Sequence, residues 1–418
     1  MQPAYILIAI PFFLLSLVLE YLLGKRKNIK LYRLNDTVNN LLVGIGQQVC
    51  NLFNKAFLFG LFILIYSNFR VFEIPSTWWS ILLCVVLYDF VFYWAHRWGH
   101  EVNLFWGAHV VHHQSEEYNL SVALRQSWFH NLLAFFLFLP LPLLGFPPLV
   151  FGAAAAIQTI GQFWIHTKLV NRLPKFLEYV LNTPSHHRVH HSSNAQYLDK
   201  NYGGIFIVWD RMFGTFKQEE AQFEITYGIT TQLKSWNPIW ANIHYYVELW
   251  NISKSFSAFK DKFKLLFARP GWLPENVIAN NSAMEKGKEN FVKYDSDVHT
   301  NLRWYAAIQF VVALLGSVAF MYHFDTISTF YKCAFASVIF TSMLIIGGIF
   351  EQKKWIWIAE YFRLAVVLLS LNTFYWYWYV DWFGIMLLSS LVAGITCMVW
   401  LAVHYILNKE YYKLNFEV

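Results

Sequence analysis

The chain has 418 residues, of which 57% are hydrophobic, 20% aromatic and 14% charged, and its formal net charge is +6. Soluble domains carry about 25% charged residues, so this composition argues against a soluble enzyme and for a membrane protein, without a nucleic-acid partner. Histidine is the second unusual feature, because eleven of the fifteen histidines lie between His96 and His191.

The first apolar segment, residues 4–23, is followed by three basic residues at 25–27. A secretory signal peptide has its basic residues before the apolar region, so this order predicts a span that is not removed. The four cysteines lie singly in apolar stretches without a C-x-x-C pair, which indicates packed thiols rather than a metal site.

Further apolar segments are long enough to cross a hydrocarbon core, which takes about 20 residues. They fall at residues 41–66, 77–94, 132–164, 304–322, 330–350, 355–379 and 383–407. The segment at 132–164 is too long for one span and is interrupted by four prolines, Pro140, Pro142, Pro147 and Pro148. We therefore predict a hairpin of two helices at about 131–164 that turns inside the bilayer.

Lysine and arginine are concentrated at residues 25–33 and 168–293, whereas the short connections at 68–76, 323–328 and 380–382 carry only Arg70. By the positive-inside rule, this distribution predicts that the histidine-rich region lies at the cytoplasmic face. The membrane would be a bacterial inner membrane or the endoplasmic reticulum.

These features predict an all-α, polytopic integral membrane protein with a histidine-rich di-metal site at its cytoplasmic face. Four regions are expected: an N-terminal transmembrane region at 1–75, a catalytic region at 76–216, a cytoplasmic or interfacial segment at 217–300, and four C-terminal spans at 301–418. The 217–300 segment carries several tryptophans and the basic run Lys260, Lys262 and Lys264, which fits either an interfacial helix or an ordinary cytoplasmic cap.

Within the C-terminal spans, Glu360 and Arg363 are three residues apart and therefore share a helical face. Charged side chains are costly inside a bilayer unless they are paired. We expect these two to pair with each other.

The clustered histidines have helical spacing. The first pair is spaced i, i+4, the second group i, i+3, i+4, the third repeats the H-x-x-H-H pattern, and one more stands at the end of the hairpin. Residues at these spacings share a helical face, so helices can present several imidazoles to one point, where iron, zinc or copper can bind. The predicted ligands are His96, His100, His109, His112, His113, His166, His186, His187, His190 and His191.

Ten ligands exceed what one four-coordinate zinc requires and suit two metal ions. A lone histidine is more often structural, but ten buried imidazoles without metal would repel one another when protonated. The H-E-x-x-H motif of zinc hydrolases is absent, and a nitrogen-rich site at a membrane surface favours two iron ions, with O2 as oxidant and a lipid substrate. A purified sample could carry zinc or another metal instead, and His130, which lacks the spacing, is not assigned.

Several other side chains are candidates for supporting roles. Asp89 lies seven residues before His96 on the same helical face, and two roles stay open for it: it accepts the second ring N–H of a ligand histidine, or it serves helix packing or an ion pair. Asp199 is a second candidate for support of the ligands, with an ordinary solvated charge as the alternative. Glu101 follows the first pair directly and is predicted to orient a ligand, bind metal or move protons. Weaker candidates for substrate or cofactor contacts are Tyr118, Asn119, Arg125 and Gln126.

The order H-x-x-x-H, H-x-x-H-H, H-x-x-H-H resembles the fatty acid hydroxylase superfamily of membrane di-iron enzymes, which includes sterol desaturases and C4-methyl sterol oxidases. The resemblance covers residues 82–216 and extends, through P-G-W-L-P at 270–274 and the apolar C-terminal region, to most of the chain. It rests on H-R-W-G-H-E-V-N at 96–103, H-H-Q-S-E-E-Y-N-L at 112–120, A-L-R-Q-S at 123–127, Q-F-W-I-H-T at 162–167, T-P-S-H-H-R-V-H-H at 183–191, N-Y-G-G at 201–204 and W-D-R-M-F-G-T-F at 209–216.

Within that superfamily the chain is most similar to the members that open the O-alkyl ether bond of alkylglycerols. The resemblance implies that the histidines of these H-x-x-x-H and H-x-x-H-H motifs, the histidine boxes, bind iron. It also implies that Glu101 is required for activity and that tetrahydrobiopterin is the reductant. It also implies hydroxylation of the carbon next to the ether oxygen, after which the product separates into fatty aldehyde and glycerol.

Two other interpretations stay open at this point. One keeps the di-iron site but makes the substrate an acyl or sterol lipid, with an external ferredoxin or cytochrome b5-like electron donor. The other is a non-enzymatic membrane metal-binding or transport protein. Transporters usually bind their substrates near the bilayer midplane, whereas the histidine clusters are expected at one membrane face. This difference argues against a transport protein.

Overall fold

The structure, a computed structural model, describes residues 4–278 and 291–408. Over these residues the chain is helical, and its only β pairings are two isolated bridges, Leu181 with Phe206 and Ser192 with Tyr227. Within the described residues, six helices are long and apolar enough to cross a membrane, at Leu34–Phe69, Trp78–Glu101, Thr300–Thr326, Thr329–Phe350, Ile356–Trp378 and Val380–Leu407. The predicted all-α, multi-pass membrane fold is confirmed.

The helices of the first two-thirds of the chain alternate between long apolar elements and short ones. In chain order they are α1 Ala4–Arg26, α2 Leu34–Phe69, α3 Trp78–Glu101, α4 Asn103–His113, α5 Leu120–Ala123, α6 His130–Ala134, α7 Pro140–Leu144, α8 Pro148–Phe163, α9 Lys175–Val180, α10 Pro184–His190, α11 Val208–Met212, α12 Pro238–Lys254, α13 Phe259–Phe267 and α14 Glu275–Ile278. The last third forms α15 Thr300–His323, α16 Thr329–Phe350, α17 Ile356–Trp378 and α18 Phe383–Leu407. Four 3₁₀ turns lie at Phe135–Phe138, Ala195–Tyr197, Phe324–Thr326 and Val380–Trp382.

The chain divides into two compact units. The first comprises residues 8–234 and 239–294 and contains all the clustered histidines, and the second consists mainly of residues from 295 onward. The division into four regions drawn from the sequence stays a prediction.

Helix α3 is the centre of the first unit, where it packs against α4 and α8. It begins after Thr77, where Ser80 caps the helix by accepting the Thr77 backbone N–H at 3.0 Å. Its inner face packs Cys84 against Leu141 and Phe146, so this thiol is buried as the sequence predicted, whereas Cys333 on α16 is exposed.

The proline-rich segment forms two apolar pieces that are each shorter than a span, His130–Leu144 and Pro148–Phe163. They join at Gly145, which has a φ of 107° and therefore a left-handed conformation that favours glycine. Pro148 occupies the first turn of α8, where its missing N–H leaves no hydrogen bond unmade. Whether the turn lies inside the bilayer stays a prediction.

In the second unit each long helix packs against the next. Arg363 and Glu360 on α17 form the expected ion pair, with Arg363 Nε 2.6 Å from Glu360 Oε2, and both side chains are buried. Arg363 also donates to Gln309 Oε1 at 2.7 Å, and Tyr305 donates its hydroxyl hydrogen to Glu360. The four polar side chains therefore satisfy one another in an apolar bundle.

Removing one member of this network should cost more than removing the pair. Arg363→Leu leaves Glu360 buried without its cation, which typically costs about 3–5 kcal/mol of stability. The double variant Arg363→Leu/Glu360→Leu should recover most of that loss. Thermal unfolding in detergent measures both variants, and equal loss in the single and double variants would contradict the pairing as the source of the effect.

Helix α2 approaches the histidine region closely through Gly44. A Cβ at this position would lie 2.2 Å from the Leu124 carbonyl oxygen, which is backbone and cannot rotate away. Since Leu124 precedes Arg125, displacement of this segment would also disturb the site described below.

We expect Gly44→Ala to destabilise the protein by about 1–3 kcal/mol, the usual cost of overpacking. Gly60→Ala on the same helix is the matched control, because nothing lies within 4 Å of the added Cβ there. Thermal unfolding in detergent should show a lower midpoint for Gly44→Ala only, and a similar midpoint for both variants would contradict the close packing.

Candidate metal centre

Three helices and one loop bring the histidines together. His96 and His100 lie on one face at the end of α3, the second cluster fills the last turns of α4, and the third lies on α10 and the residue after it, while His166 follows α8. Thr183 and Pro184 begin α10, with the proline in its first turn, so that short helix starts just before its histidines. All ten predicted ligands are buried.

Nine of the ten imidazoles form two groups in which the ligand atoms all lie within 4.8 Å of one another. The first group has five members, His96, His100, His109, His113 and His190. The second group has four members, His112, His166, His187 and His191. We call them group one and group two.

Distances between ring nitrogens match the spacing of ligands around one ion. In group one, His109 Nε2 lies 3.0 Å from His96 Nε2 and 3.1 Å from His113 Nε2. In group two the corresponding Nε2 separations are 3.2, 3.0 and 3.2 Å along the series His112, His166, His187 and His191. Metal–imidazole bonds of about 2.1 Å place neighbouring nitrogens of an octahedral set about 3.0 Å apart.

Four of these rings form hydrogen bonds with backbone carbonyl oxygens through Nδ1. The Nδ1 atoms of His96, His112, His166 and His190 lie 2.7–2.9 Å from the carbonyl oxygens of Tyr202, Arg125, Gln162 and Lys200, respectively. A carbonyl oxygen only accepts hydrogen bonds, so each Nδ1 carries the hydrogen and each Nε2 presents a lone pair when the ring is neutral.

One consequence is specific to His112 and His166, whose Nε2 atoms face each other at 3.2 Å. Both atoms carry lone pairs in the neutral rings, so there is no hydrogen to place between them and the contact is repulsive. In addition, the Nε2 atoms of His100 and His190 are buried without a hydrogen-bond partner among the described residues. A cation bound among these nitrogens would remove the repulsion between the lone pairs and give each unpartnered Nε2 a ligand bond. The residues present are therefore suited to bind metal ions.

Burial favours the neutral form of the histidines on α4 and α10. Burial, reinforced by the neighbouring imidazoles, lowers the pKa of His109, His113 and His187 well below the ordinary value for histidine. Burial also lowers the pKa of His190 to about 4. Neutral imidazole is the form that binds metal, so the site needs little proton release to accept an ion.

His186 is the predicted ligand that the structure does not bring to either group. Its Nε2 lies 3.2 Å from Glu178 Oε2, and burial lowers its pKa to about 4. His130, which was not assigned, has its ring centroid 6.0 Å from that of His109 but belongs to neither group.

Asp89 contacts a loop rather than an imidazole. Its carboxylate accepts the backbone N–H groups of Ile205 and Phe206 at 2.6 and 3.0 Å and the Trp209 indole N–H at 2.9 Å. The expectation that it accepts a ring N–H from a ligand is therefore corrected: Asp89 fixes the loop whose Tyr202 carbonyl holds His96.

Asp210 has a similar role that the sequence reasoning missed. It accepts the backbone N–H groups of Tyr202 and Gly203, each at 2.7 Å, and the Thr215 hydroxyl at 2.7 Å. Burial raises the pKa of Asp210 to about 6. The available signal was its position in the W-D-R-M-F-G-T-F stretch. An aspartate six residues after the Gly203–Gly204 pair does not by itself reveal which N–H groups it accepts.

Glu101 and Asp199 lie beside group one without joining it. Glu101 Oε1 is 3.2 Å from Arg97 and 3.4 Å from Arg269, and Asp199 Oδ1 is 3.9 Å from His100 Nδ1. The predicted roles of Glu101 in catalysis and of Asp199 behind a ligand stay predictions.

The weaker candidates Tyr118 and Arg125 are buried supports of the histidines. The Tyr118 ring stacks on His166, with centroids 5.8 Å apart, and its hydroxyl donates to the Ile165 carbonyl at 3.0 Å. Arg125 donates to Val111, Gln114, Asn39 and Asn40, and these amide partners on α2 and α4 were missed from the sequence.

Asn119 and Gln126, the other two weak candidates, also contact protein. Asn119 caps α5 by accepting the Ser121 backbone N–H at 3.0 Å, and it donates to the Leu31 carbonyl at 2.8 Å. Gln126 Nε2 lies 3.3 Å from His112 Nδ1. Tyr118, Asn119 and Arg125 are buried in the protein, and the predicted contacts of these four residues with substrate or cofactor stay predictions.

Residues 81–215, which carry both histidine groups, match the fatty acid hydroxylase family. This match defines the class of the protein as a helical membrane enzyme built around histidine boxes. No solved structure matches the chain.

The chain is similar to several proteins named alkylglycerol monooxygenase. It is 37% identical to the one from Homo sapiens over 75% of this chain and 70% of the relative, 40% identical to the one from Danio rerio over 65% and 60%, and 30% identical to the one from Caenorhabditis elegans over 80% and 69%. The chain therefore belongs to the fatty acid hydroxylase family, with alkylglycerol monooxygenases among its relatives, and it is an oxygenase.

If Asp89 fixes the loop that contains Tyr202, replacing Asp89 should weaken metal binding. Asp89→Ala leaves two backbone N–H groups and an indole N–H buried without an acceptor, at about 1–3 kcal/mol for each unsatisfied group. We expect a lower unfolding midpoint and a lower metal content. Val86→Ala, an exposed position one turn earlier on α3, is the control, and retention of full metal content in Asp89→Ala would contradict the connection to His96.

Proposed function

We propose that this oxygenase holds two iron ions, one in each histidine group, at the cytoplasmic face of the membrane. The observation that carries the proposal is the set of nine buried imidazoles, whose ligand atoms lie within 4.8 Å of one another in each group and whose neighbouring Nε2 atoms come as close as 3.0 Å. Five imidazoles at group one exceed a tetrahedral zinc site and suit an ion that prefers six ligands. Bound iron would supply the oxidation of a C–H bond by O2.

We further propose that the substrate is a 1-O-alkylglycerol, because the relatives with the longest matches are named alkylglycerol monooxygenase. One oxygen atom of O2 would enter the C–H bond next to the ether oxygen, and the other would leave as water with two electrons from tetrahydrobiopterin. The resulting hemiacetal would separate into a fatty aldehyde and glycerol.

The chain's own residues would serve this reaction by fixing the imidazoles and excluding water. Carbonyls of Arg125, Gln162, Lys200 and Tyr202 orient four rings, and Asp89 and Asp210 hold the loop that carries Tyr202. The buried surroundings keep all nine rings neutral, which is the protonation state required for binding. Glu101, between two arginines beside group one, is the nearest candidate for moving a proton.

The cytoplasmic orientation is supported by charge. Helix α10 lies within the basic region at residues 168–293, and α4 contacts α13 of the same region. We also propose that residues 76–216 form the catalytic region, which the family match at residues 81–215 supports.

A reconstituted assay tests the substrate and the reductant together. The full chain in nanodiscs is supplied with iron, O2 and an alkylglycerol, with or without tetrahydrobiopterin, and fatty aldehyde is measured. Aldehyde that requires the pterin supports the proposal. If product forms only from an acyl or sterol lipid with reduced ferredoxin or cytochrome b5, the proposed substrate and electron donor are wrong. If the protein binds metal but turns over none of these lipids, the result favours the non-enzymatic metal-binding protein.

The two groups predict separate losses of metal. His190→Ala should reduce the metal at group one, and His112→Ala should reduce the metal at group two, so each variant should lose up to half of the bound iron and most of the activity. His186→Ala is the matched control, because this buried histidine belongs to neither group.

Elemental analysis of iron-loaded, purified protein measures these variants. Full iron content in His190→Ala and His112→Ala would contradict the ligand assignment. A loss in His186→Ala equal to theirs would show that the ten-ligand prediction was correct and the nine-ligand geometry wrong.

A further inference from the structure

Helix α13 carries a row of exposed phenylalanines outside the metal centre. Phe259, Phe263 and Phe267 are spaced four residues apart, so they share one helical face, and their side chains are 81%, 58% and 53% exposed. The rings of Phe263 and Phe267 lie 5.2 Å apart, whereas Leu265 on the opposite face is buried. A contiguous apolar row exposed in this way marks a contact surface.

Lysines border this row. Lys260 and Lys264 are exposed next to the phenylalanines, Lys262 lies on the other flank, and Asp261 is the acidic residue of the helix. The Lys264 ammonium also lies 4.7 Å from the centroid of the Trp272 ring. Apolar side chains on one face with lysines at its edges are typical of helices that lie in a membrane surface, where the ammonium groups reach anionic headgroups.

The C-terminal end of α13 is attached to the end of the membrane-length helix α3. The backbone N–H of Asn103 donates to the Ala268 carbonyl at 3.0 Å, and its side chain donates to the Leu265 carbonyl at 2.8 Å. Arg269, just after α13, lies 3.4 Å from Glu101, the last residue of α3. These contacts hold α13 beside the end of α3 and the start of α4.

The preceding helix has a related exposed face. On α12, Trp250 is 67% exposed, and Ile243 and Val247 are exposed on the same side at helical spacing. The buried faces of α12 and α13 pack together through Leu249, Phe256 and Leu265. Each helix therefore turns apolar side chains both inward and outward.

We propose that α13 is a membrane-surface helix that inserts Phe259, Phe263 and Phe267 among lipid acyl chains and binds anionic headgroups through its lysines. The occupant of the exposed row is therefore the surface of the protein's own bilayer. The proposal does not depend on the substrate or on the metal, and through Asn103 and Glu101 it links lipid contact to the end of α3 that carries His100.

Spin labelling tests the depth of this helix. In a full chain whose four cysteines are replaced by alanine, Phe263→Cys is labelled with a nitroxide in nanodiscs of phosphatidylcholine with 0% or about 30% phosphatidylglycerol, and accessibility to O2 and to a nickel chelate is measured. Phe223→Cys is the matched control, because Phe223 is exposed but lies between the acidic residues Glu220 and Glu224.

We expect accessibility to O2 over nickel to be several-fold higher at position 263 than at 223, and to rise with phosphatidylglycerol. Adding Lys260→Gln and Lys264→Gln should remove the dependence on phosphatidylglycerol. A label at 263 that is accessible to nickel, as at 223, would overturn the proposal in favour of a water-exposed face. An immobile label accessible to neither reagent would overturn it in favour of a protein contact, such as a second copy of the chain.

Unchanged monodispersity and unfolding midpoint in the labelled protein establish that the fold is intact. If Phe263→Cys fails that check, Phe259→Cys, at the most exposed position of the row, takes its place. Lipid insertion at 263 without any alkylglycerol turnover would leave this proposal standing and overturn the proposed function, so the two fail separately.

Discussion

The structure depends on keeping nine imidazoles buried, neutral and aimed inward at the same time. Each buried ring loses its hydration, and each protonated ring would repel its neighbours, so the arrangement is stable only when protons are absent. Hydrogen bonds from Nδ1 to backbone carbonyls settle which nitrogen keeps its hydrogen. The remaining lone pairs converge on two points, which a cation stabilises and an empty site does not.

Much of the fold in the first unit serves this requirement. Gly44 lets α2 approach the segment before Arg125, Arg125 is held by amides from α2 and α4, and its carbonyl orients His112. Asp89 performs the equivalent task for the Tyr202 loop from within α3. Gly44, Arg125 and Asp89 thus act on the ligands through short stretches of backbone, whereas Tyr118 contacts His166 directly through its ring.

The sequence was sufficient for features that repeat with the helical period or depend on the length of an apolar segment. Apolar length predicted the membrane-length helices, and i, i+3, i+4 spacing predicted eight of the nine histidines that the structure brings together, while His166 was predicted from its place at the end of the hairpin. Spacing failed for His186, because on the short helix α10 it faces Glu178 while His187, His190 and His191 face the groups. Spacing also did not identify the partners of Asp89, which are N–H groups more than a hundred residues later in the chain. Contacts of that kind depend on the conformation of a loop, and a loop has no regular residue spacing from which its contacts could be predicted.

The hydrogen bonds from histidine Nδ1 to backbone carbonyls do not depend on the side chains of the residues that supply the carbonyls. Every residue supplies a carbonyl, so exchanging the side chain of Lys200 or Gln162 leaves the hydrogen bond to His190 or His166 in place. Alanine scanning would therefore pass over these positions, and related chains can differ at them while the rings keep their orientation. Only a change in the main chain itself, such as an ester in place of the following amide or a proline that redirects the loop, would expose how much these atoms contribute.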